Sequence, residues 1–330
     1  MTRPRKLAAL AFACLSFAAL PGVASATPNV DAFAAKSTIT MSGSTSVHPL
    51  AVALAKAYVT KFPGRVKFKI REGGSDTGIT DVAHGRVSIG NSSRDYQDGD
   101  PGGLQFNKIA RDGVCVVTNP DNRIANFSQD QVQAIFSGQI RRWEDVEGSQ
   151  ASGPIDLVVR TQASGTQDAF QNIFMGQDLR VAPSASQKSS NGLVEQAVRS
   201  DEQAIGYVDL NFTSGTQDAF QNIFMGPDLR VASSASQKAT NGLVQSSVRS
   251  DESGIGYVDF RFTGGTHAVS YKGVACTLRN AKSGQYPGLR NFWFVTRGAP
   301  KGALAKFIKW AQRDKTAQRK IVAEHWVPIH

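Results

Sequence analysis

From residue 38 onward, short apolar runs alternate with stretches whose apolar positions recur every three or four residues. Residues 38–41 predict a strand, and residues 46–62, apolar at helical spacing, predict a helix. Residues 65–71 alternate polar and apolar with period two, as a half-buried strand does. A short helix over 77–84 and strands over 87–90 and 113–118 follow, the last stopping at Asn119-Pro120. Ser128 with Gln131 three residues on has the form of a capping box, opening a helix that ends at Gly138. Residues 157–160 predict another strand. Strand and helix in alternation predict an α/β fold whose sheets are mainly parallel and flanked by helices.

The pattern then repeats itself. Residues 164–212 and 214–262 are two copies of one segment at a period of 50, identical at 38 of 49 positions. Both open with SGTQDAFQNIFMG and both end in IGYVD with an aromatic three residues on. Stacked solenoids need about three or more units for stability, so two copies read as a tandem duplication inside one lobe. Without one copy and the leader, about 254 residues remain, enough for two lobes of ordinary size.

Residues 1–26 have the pattern of a secretory signal. Arg3, Arg5 and Lys6 precede an apolar run over 7–20, and Ala24-Ser25-Ala26 supplies small residues for cleavage before Thr27. The run is short for a membrane span and ends at Pro21-Gly22. Cys14 follows Ala11-Phe12-Ala13, which lacks the aliphatic residue a lipid-attachment site wants three positions earlier, so lipidation ranks second. A periplasmic or secreted mature chain is expected, with Cys115 and Cys276 either paired or as two buried thiols.

Composition narrows the classes. An apolar fraction of 41% excludes a disordered chain, and 3 cysteines exclude a disulfide scaffold. The net charge of +10 falls to about +7 once the leader is removed. Much of it lies on Arg65, Lys67, Lys69 and Arg71 or along the last helices, where no base-stacking aromatics interleave. A solvated face, with no nucleic-acid partner, is the expectation.

Three segments place small hydroxyl and glycine residues where a helix begins. They are Ser42-Gly43-Ser44-Thr45-Ser46, Gly73-Gly74-Ser75-Asp76-Thr77-Gly78, and Ser164-Gly165-Thr166. A helix start carries unpaired backbone N–H groups and a partial positive charge, so it attracts an anion. A single such segment reads as an ordinary N-cap. Three of them, with Arg160 four residues before Ser164, read as parts of one anion site. A guanidinium donates bidentately to an oxyanion and stays charged at any relevant pH.

With these motifs in order, the chain resembles the phosphate-binding proteins of bacterial ABC transporters, which are type II periplasmic solute-binding proteins. The similarity runs from about Ile39 to the C-terminus through ITMSGSTSVHPL, REGGSDTGI, SSR at 92–94 and NFSQDQVQAIFSGQIRRWEDV. It continues through RTQASGTQDAF, SNGLV with AIGYV, SGQYPGLRNFWFVT, and a last helix before VPI. The resemblance implies a two-lobed α/β fold joined by two crossing strands, with the anion buried between the lobes. Lobe 1 would comprise 27–115 and 292–330, and lobe 2, holding the repeat, 116–291. Ser44, Thr45 and Ser46 would contribute hydroxyls and amides from lobe 1, Ser75 would cap the second helix, and the Ser93–Arg94 turn would approach from the same side. Arg160, Ser164, Gly165 and Thr166 would close over the ligand from lobe 2. The implied function is capture of inorganic phosphate and its delivery to an ABC permease, with no catalytic residue, cofactor or metal.

Two departures from the family pattern stand out. Many relatives carry Asp where this chain has Arg94, and that carboxylate accepts the proton of hydrogen phosphate. Asp76 is the candidate replacement acceptor and Asp95 the second, since an acceptor-only group favours protonated phosphate over sulfate. In the second repeat copy, Ser214-Gly215-Thr216 is preceded four residues earlier by Leu210, so no arginine is present. One site, built from the first copy, is therefore expected. The 50 extra residues carry Phe, Ile and Val that favour burial, which makes exchange between molecules a hazard for an otherwise monomeric protein.

The remaining residues argue against other classes. The five histidines show no metal-ligand spacing, and GxSxG and HExxH are absent, so no motif supports a secreted phosphatase-like enzyme. His48 is expected as an exposed first-turn residue. Phe292–Phe294 reads as a core or hinge strand, and Trp310 and Trp326 as lobe packing. Binding of another oxyanion such as sulfate, and a sensing or surface role without transport, remain as alternatives.

Overall fold

The computed structural model describes residues 37–119, 121–210 and 267–330. The leader with Cys14 and its cleavage point, and the second repeat copy with Ser214-Gly215-Thr216, lie outside them. Strand β1 (Ser37–Gly43) leads into helix α1 (His48–Lys61), whose Leu50, Leu54 and Tyr58 are buried. Strand β2 (Val66–Ile70), helix α2 (Ser75–Ala83) and strand β3 (Ile89–Ser92) follow, with β2 and β3 each pairing parallel to β1. Arg65, Lys67, Lys69 and Arg71 are all exposed, as the alternation of that segment requires.

Strand β4 is longer than its apolar half predicts, running Leu104–Thr118 rather than 113–118. Its first part contains Asn107, Lys108, Arg111 and Asp112, polar residues that break an apolar pattern but pair antiparallel with a late strand. Beyond Gly113 the same strand pairs with lobe 2, so it crosses from one lobe to the other.

Lobe 2 contains β5 (Asn126–Phe127), α3 (Gln129–Phe136), β6 (Asp156–Arg160) and α4 (Gly165–Phe170). It continues with β7 (Ser186–Lys188), α5 (Asn191–Ser200) and β8 (Ala204–Asp209), and β6 pairs parallel with both β7 and β8. Beyond the repeat come β9 (His267–Ala268), β10 (Ser270–Tyr271), α6 (Leu278–Lys282), β11 (Leu289–Arg297) and α7 (Gly302–Arg313). Strand β11 starts opposite Gly113 and joins β3 to β4 antiparallel, so the chain returns to lobe 1 through it.

Each lobe has its own core. Phe127, Phe136, Trp143, Phe170 and Tyr207 fill one, while Tyr58, Phe294, Phe307, Trp310 and Trp326 fill the other. Trp310 and Trp326 are thus lobe packing, and Phe292–Phe294 lies in a core strand. Cys115 of β4 is disulfide-bonded to Cys276, which ties the returning segment to lobe 2 on the far side of the repeat.

The capping box at Ser128 forms as its spacing predicts: its Oγ accepts from the Gln131 N–H at 3.1 Å and the Gln131 side chain accepts from the Ser128 N–H at 2.9 Å. Ser128→Ala should lower stability by about 1 kcal/mol, the usual cost of an N-cap, read as a lower midpoint in chemical denaturation.

Candidate functional site

The helix starts singled out in the sequence converge where the lobes meet. Strand β1 ends at Gly43, and just beyond it Ser44 Oγ donates to Ser93 Oγ at 2.8 Å and accepts from the Val47 N–H at 3.3 Å. Ser75 does not cap α2: Gly74 occupies that position, and the Ser75 Oγ accepts from the Ser93 N–H at 3.0 Å. The reason is geometric, because Ser75 lies in the first turn of the helix and faces the end of β3. Ser164 is the true N-cap of α4, its Oγ accepting from the Thr166 N–H at 3.2 Å.

Contacts between the lobes complete the cage. Ser46 Oγ and Thr166 Oγ1 are 3.0 Å apart, and Asn191 Nδ2 donates to Ser46 Oγ at 3.1 Å. The Asp76 N–H donates to the Ala163 carbonyl at 3.3 Å. A Cβ on Gly74 would fall 2.8 Å from that same carbonyl oxygen, so the lobes approach here backbone to backbone. Gly165 is as tightly placed against Ser75 and Ser93.

Arg160, at the end of β6, is 2% exposed and spreads its guanidinium through this cage. Nη1 donates to Asn191 Oδ1 at 2.9 Å and Thr166 Oγ1 at 3.3 Å, and Nη2 to Thr45 Oγ1 at 3.3 Å and the Ser189 carbonyl at 2.8 Å. Its own N–H donates to the Tyr207 hydroxyl at 3.1 Å, which fixes the strand end to the lobe 2 core. Every one of these acceptors is neutral: among the described residues no carboxylate lies within ion-pair distance of Arg160. Burial pushes its pKa down to about 10, which leaves it charged at neutral pH.

A second buried guanidinium, which the sequence pattern did not single out, belongs to Arg290 of β11. Its Nη1 donates to Thr166 Oγ1 at 3.0 Å, so Arg160 and Arg290 converge on one hydroxyl. Arg290 is ion-paired to Asp209 at the end of β8 and lies 3.5 Å from Asp112 of β4, its direct cross-strand partner. Asp209 in turn accepts from Asn191 Nδ2 at 2.6 Å. Burial lowers the Arg290 pKa and raises that of Asp112, each partly offset by the other's charge. The signal in the sequence was a charged residue set in an apolar strand: Asp after IGYV, Arg before Asn291-Phe292, and Asp between Ala110 and Val114.

Arg94 and Asp76 are brought to each other rather than into the hydroxyl cluster. Arg94 Nε donates to Asp76 Oδ1 at 2.8 Å, while Nη1 and Nη2 grip Asp100 at 2.9 and 2.7 Å. Burial alone would lower the Arg94 pKa, but hydrogen bonds with Asp100 and Asp76 outweigh it and raise it. Asp95, the second candidate acceptor, accepts from Trp293 Nε1 at 2.8 Å and Asn291 Nδ2 at 3.0 Å. His48 is half-buried, 4.0 Å from Glu72. A cleft of about 300 Å³ opens beside the cage, lined among others by Ser93, Arg94, Arg111, Asp168 and Arg290.

Hydroxyls, amides and a buried cation, contributed by both lobes, thus meet at one place. A family model for the PBP superfamily domain matches residues 24–315, and the chain belongs to that family. It is 30% identical over 181 residues to the phosphate-binding protein PstS of Bacillus subtilis, covering 54% of this chain and 59% of the relative. It is 28% identical over 193 residues to PstS of Staphylococcus saprophyticus, covering 56% and 59%. The chain thus spans less than two thirds of the length of these curated relatives.

Among solved structures, one of a candidate phosphate ABC transporter substrate-binding protein from Clostridium perfringens, with phosphate bound, superposes with a TM-score of 0.68. The two share 26% identity over 89% of this chain and 100% of the other. An ABC-type phosphate transport receptor from Vibrio cholerae, 23% identical, shares the fold with a TM-score of 0.59 over 88% of this chain and 99% of the other. The fold is therefore that of the type II periplasmic binding proteins. No helix among the described residues is long and apolar enough to cross a membrane.

Proposed function

We propose that this chain is a periplasmic solute-binding protein that captures inorganic phosphate between its lobes and delivers it to an ABC import permease. The observation that carries the reading is Arg160, a buried guanidinium with neutral acceptors only among the described residues. A buried cation without a hydrogen-bonded counter-charge is costly, and an oxyanion entering the cage supplies that charge. Ser44, Thr45, Ser46, Ser75 and Ser93 would present donors from lobe 1, and Ser164, Gly165 and Thr166 would present the α4 start from lobe 2. Arg94, paired with Asp76, would support the Ser93 turn beside it. The names of the relatives support phosphate over other oxyanions. The protein would act as a binder, without bond-making chemistry, as a monomer cleaved from its leader near Ala26-Thr27.

Calorimetric titration of the mature protein with phosphate, sulfate and arsenate tests the reading. Phosphate should bind at micromolar concentration or below, and sulfate more weakly; binding of no oxyanion would overturn it. None of the cage residues named above lies in the second repeat copy. Deleting residues 213–262 should therefore change phosphate affinity by no more than a few fold in the same titration. A loss of binding would show that the second copy contributes to the site.

A further inference from the structure

Arg290 is claimed by two carboxylates. Asp209 takes the close ion pair, and Asp112 remains 3.5 Å from Nη2 with its Oδ1 buried and without a hydrogen-bond partner. The same guanidinium points Nη1 at Thr166, the residue at the start of α4 where the anion is proposed to bind. We propose, on the reading that the cage holds phosphate, that Asp112 takes up a proton from solvent when the anion enters, because the anion is a third negative group competing for Arg290. The buffer acid gives up H⁺, an O–H bond forms on the Asp112 carboxylate, and the buried cluster accepts the anion with one fewer negative charge.

The charges around Asp112 come from every element packed on it. Arg290 faces it from β11, Asp209 lies behind that arginine at the end of β8, and Arg160 on β6 and Asp168 on α4 both act on Arg290. Arg111 and the Gly113 N–H flank it on its own strand. Burial already holds the Asp112 carboxyl above the usual carboxylate range, with Arg290 as the main opposing influence. Drawing Arg290 toward an anion weakens that opposition, so the carboxyl moves further up on binding. Uptake is expected in the pH window above the free-state titration. Below it, Asp112 is already neutral in the free protein.

The test is calorimetry of the mature chain with phosphate in two buffers of different ionisation enthalpy, comparing wild type with Asp112→Asn. The protonation of phosphate itself is common to both proteins and cancels in the difference. Wild type should take up as much as one proton more than the variant, and its association constant should fall by up to about tenfold more per pH unit. A purely structural role for Asp112 would change affinity without changing the proton count. Equal proton counts with binding intact would overturn the proposal, whereas absence of any phosphate binding by wild type would overturn the functional reading instead. Should Asp112→Asn fail to fold, infrared difference spectra of wild type decide the question. A protonated-carboxyl band appearing with phosphate supports uptake, and its absence at saturation rules uptake out.

Discussion

Arg160→Ala should weaken phosphate binding by tens- to thousands-fold. A buried anion that loses its hydrogen-bonded charge partner gives up roughly 2–5 kcal/mol, and each 1.4 kcal/mol is about a decade in affinity. The size of the effect follows from the surroundings. Arg160 is buried, and its acceptors Asn191, Thr45, Thr166 and two backbone carbonyls are all neutral. No carboxylate among the described residues is hydrogen-bonded to it, although Glu72 acts on it from further off, whereas Arg94 is gripped directly by Asp100 and Asp76. Arg160→Lys should fall between wild type and alanine, because an ammonium retains the charge but cannot span Asn191, Thr45 and Ser189 at once. Arg94→Ala offers the contrast: its ion pairs lie outside the hydroxyl cluster, so it should reduce stability more than affinity. Isothermal calorimetry with phosphate on the three variants separates these outcomes, and affinity surviving Arg160→Ala would place the anion elsewhere.

The difference between Arg160 and Arg94 also marks how far the sequence was legible. Arg160 stood out because it sits four residues before a hydroxyl–glycine helix start, a local pattern with a local physical cause. The helix starts themselves, the capping box at Ser128 and the strands over 38–41 and 157–160 were readable for the same reason. Arg94 was named on the family resemblance alone, and its partner Asp100 is bound through the turn over 95–100, which has no sequence signature. Strand β4 was read at less than half its length, because its polar part is paired by β11, which returns nearly two hundred positions later. Arg290, Asp112 and Asp209 were missed for a related reason. Arg290 and Asp209 are single charges in or at the end of apolar runs, Asp112 follows Arg111 in a mixed segment, and only the topology places the three side by side. Chemistry carried by one helix turn was visible, whereas chemistry assembled by long-range pairing was not.

Gly165→Ala isolates that assembled part of the site, the meeting of the two lobes. A Cβ at residue 165 would stand 2.3 Å from Ser75 Oγ, 2.6 Å from Ser93 Oγ and 2.9 Å from the Ser93 carbonyl carbon. The two hydroxyls have some freedom to turn, but the Ser93 backbone directly follows the last rung of the β3–β11 ladder at Ser92 and its N–H is bonded to Ser75 Oγ, which limits how far it can yield. Closure must therefore stop short, at a cost comparable to overpacking a core, about 1–3 kcal/mol. The expected result is a fall in phosphate affinity of roughly fivefold to 150-fold. Stability without ligand should hardly change, because residue 165 opens a helix and alanine is a favourable helix residue. Comparing the thermal midpoint with and without phosphate provides the readout: the ligand-free midpoint should be retained and the shift on adding phosphate should shrink. A lower ligand-free midpoint with an undiminished shift would mean that Gly165 serves the fold of lobe 2 rather than the closure of the lobes on the anion.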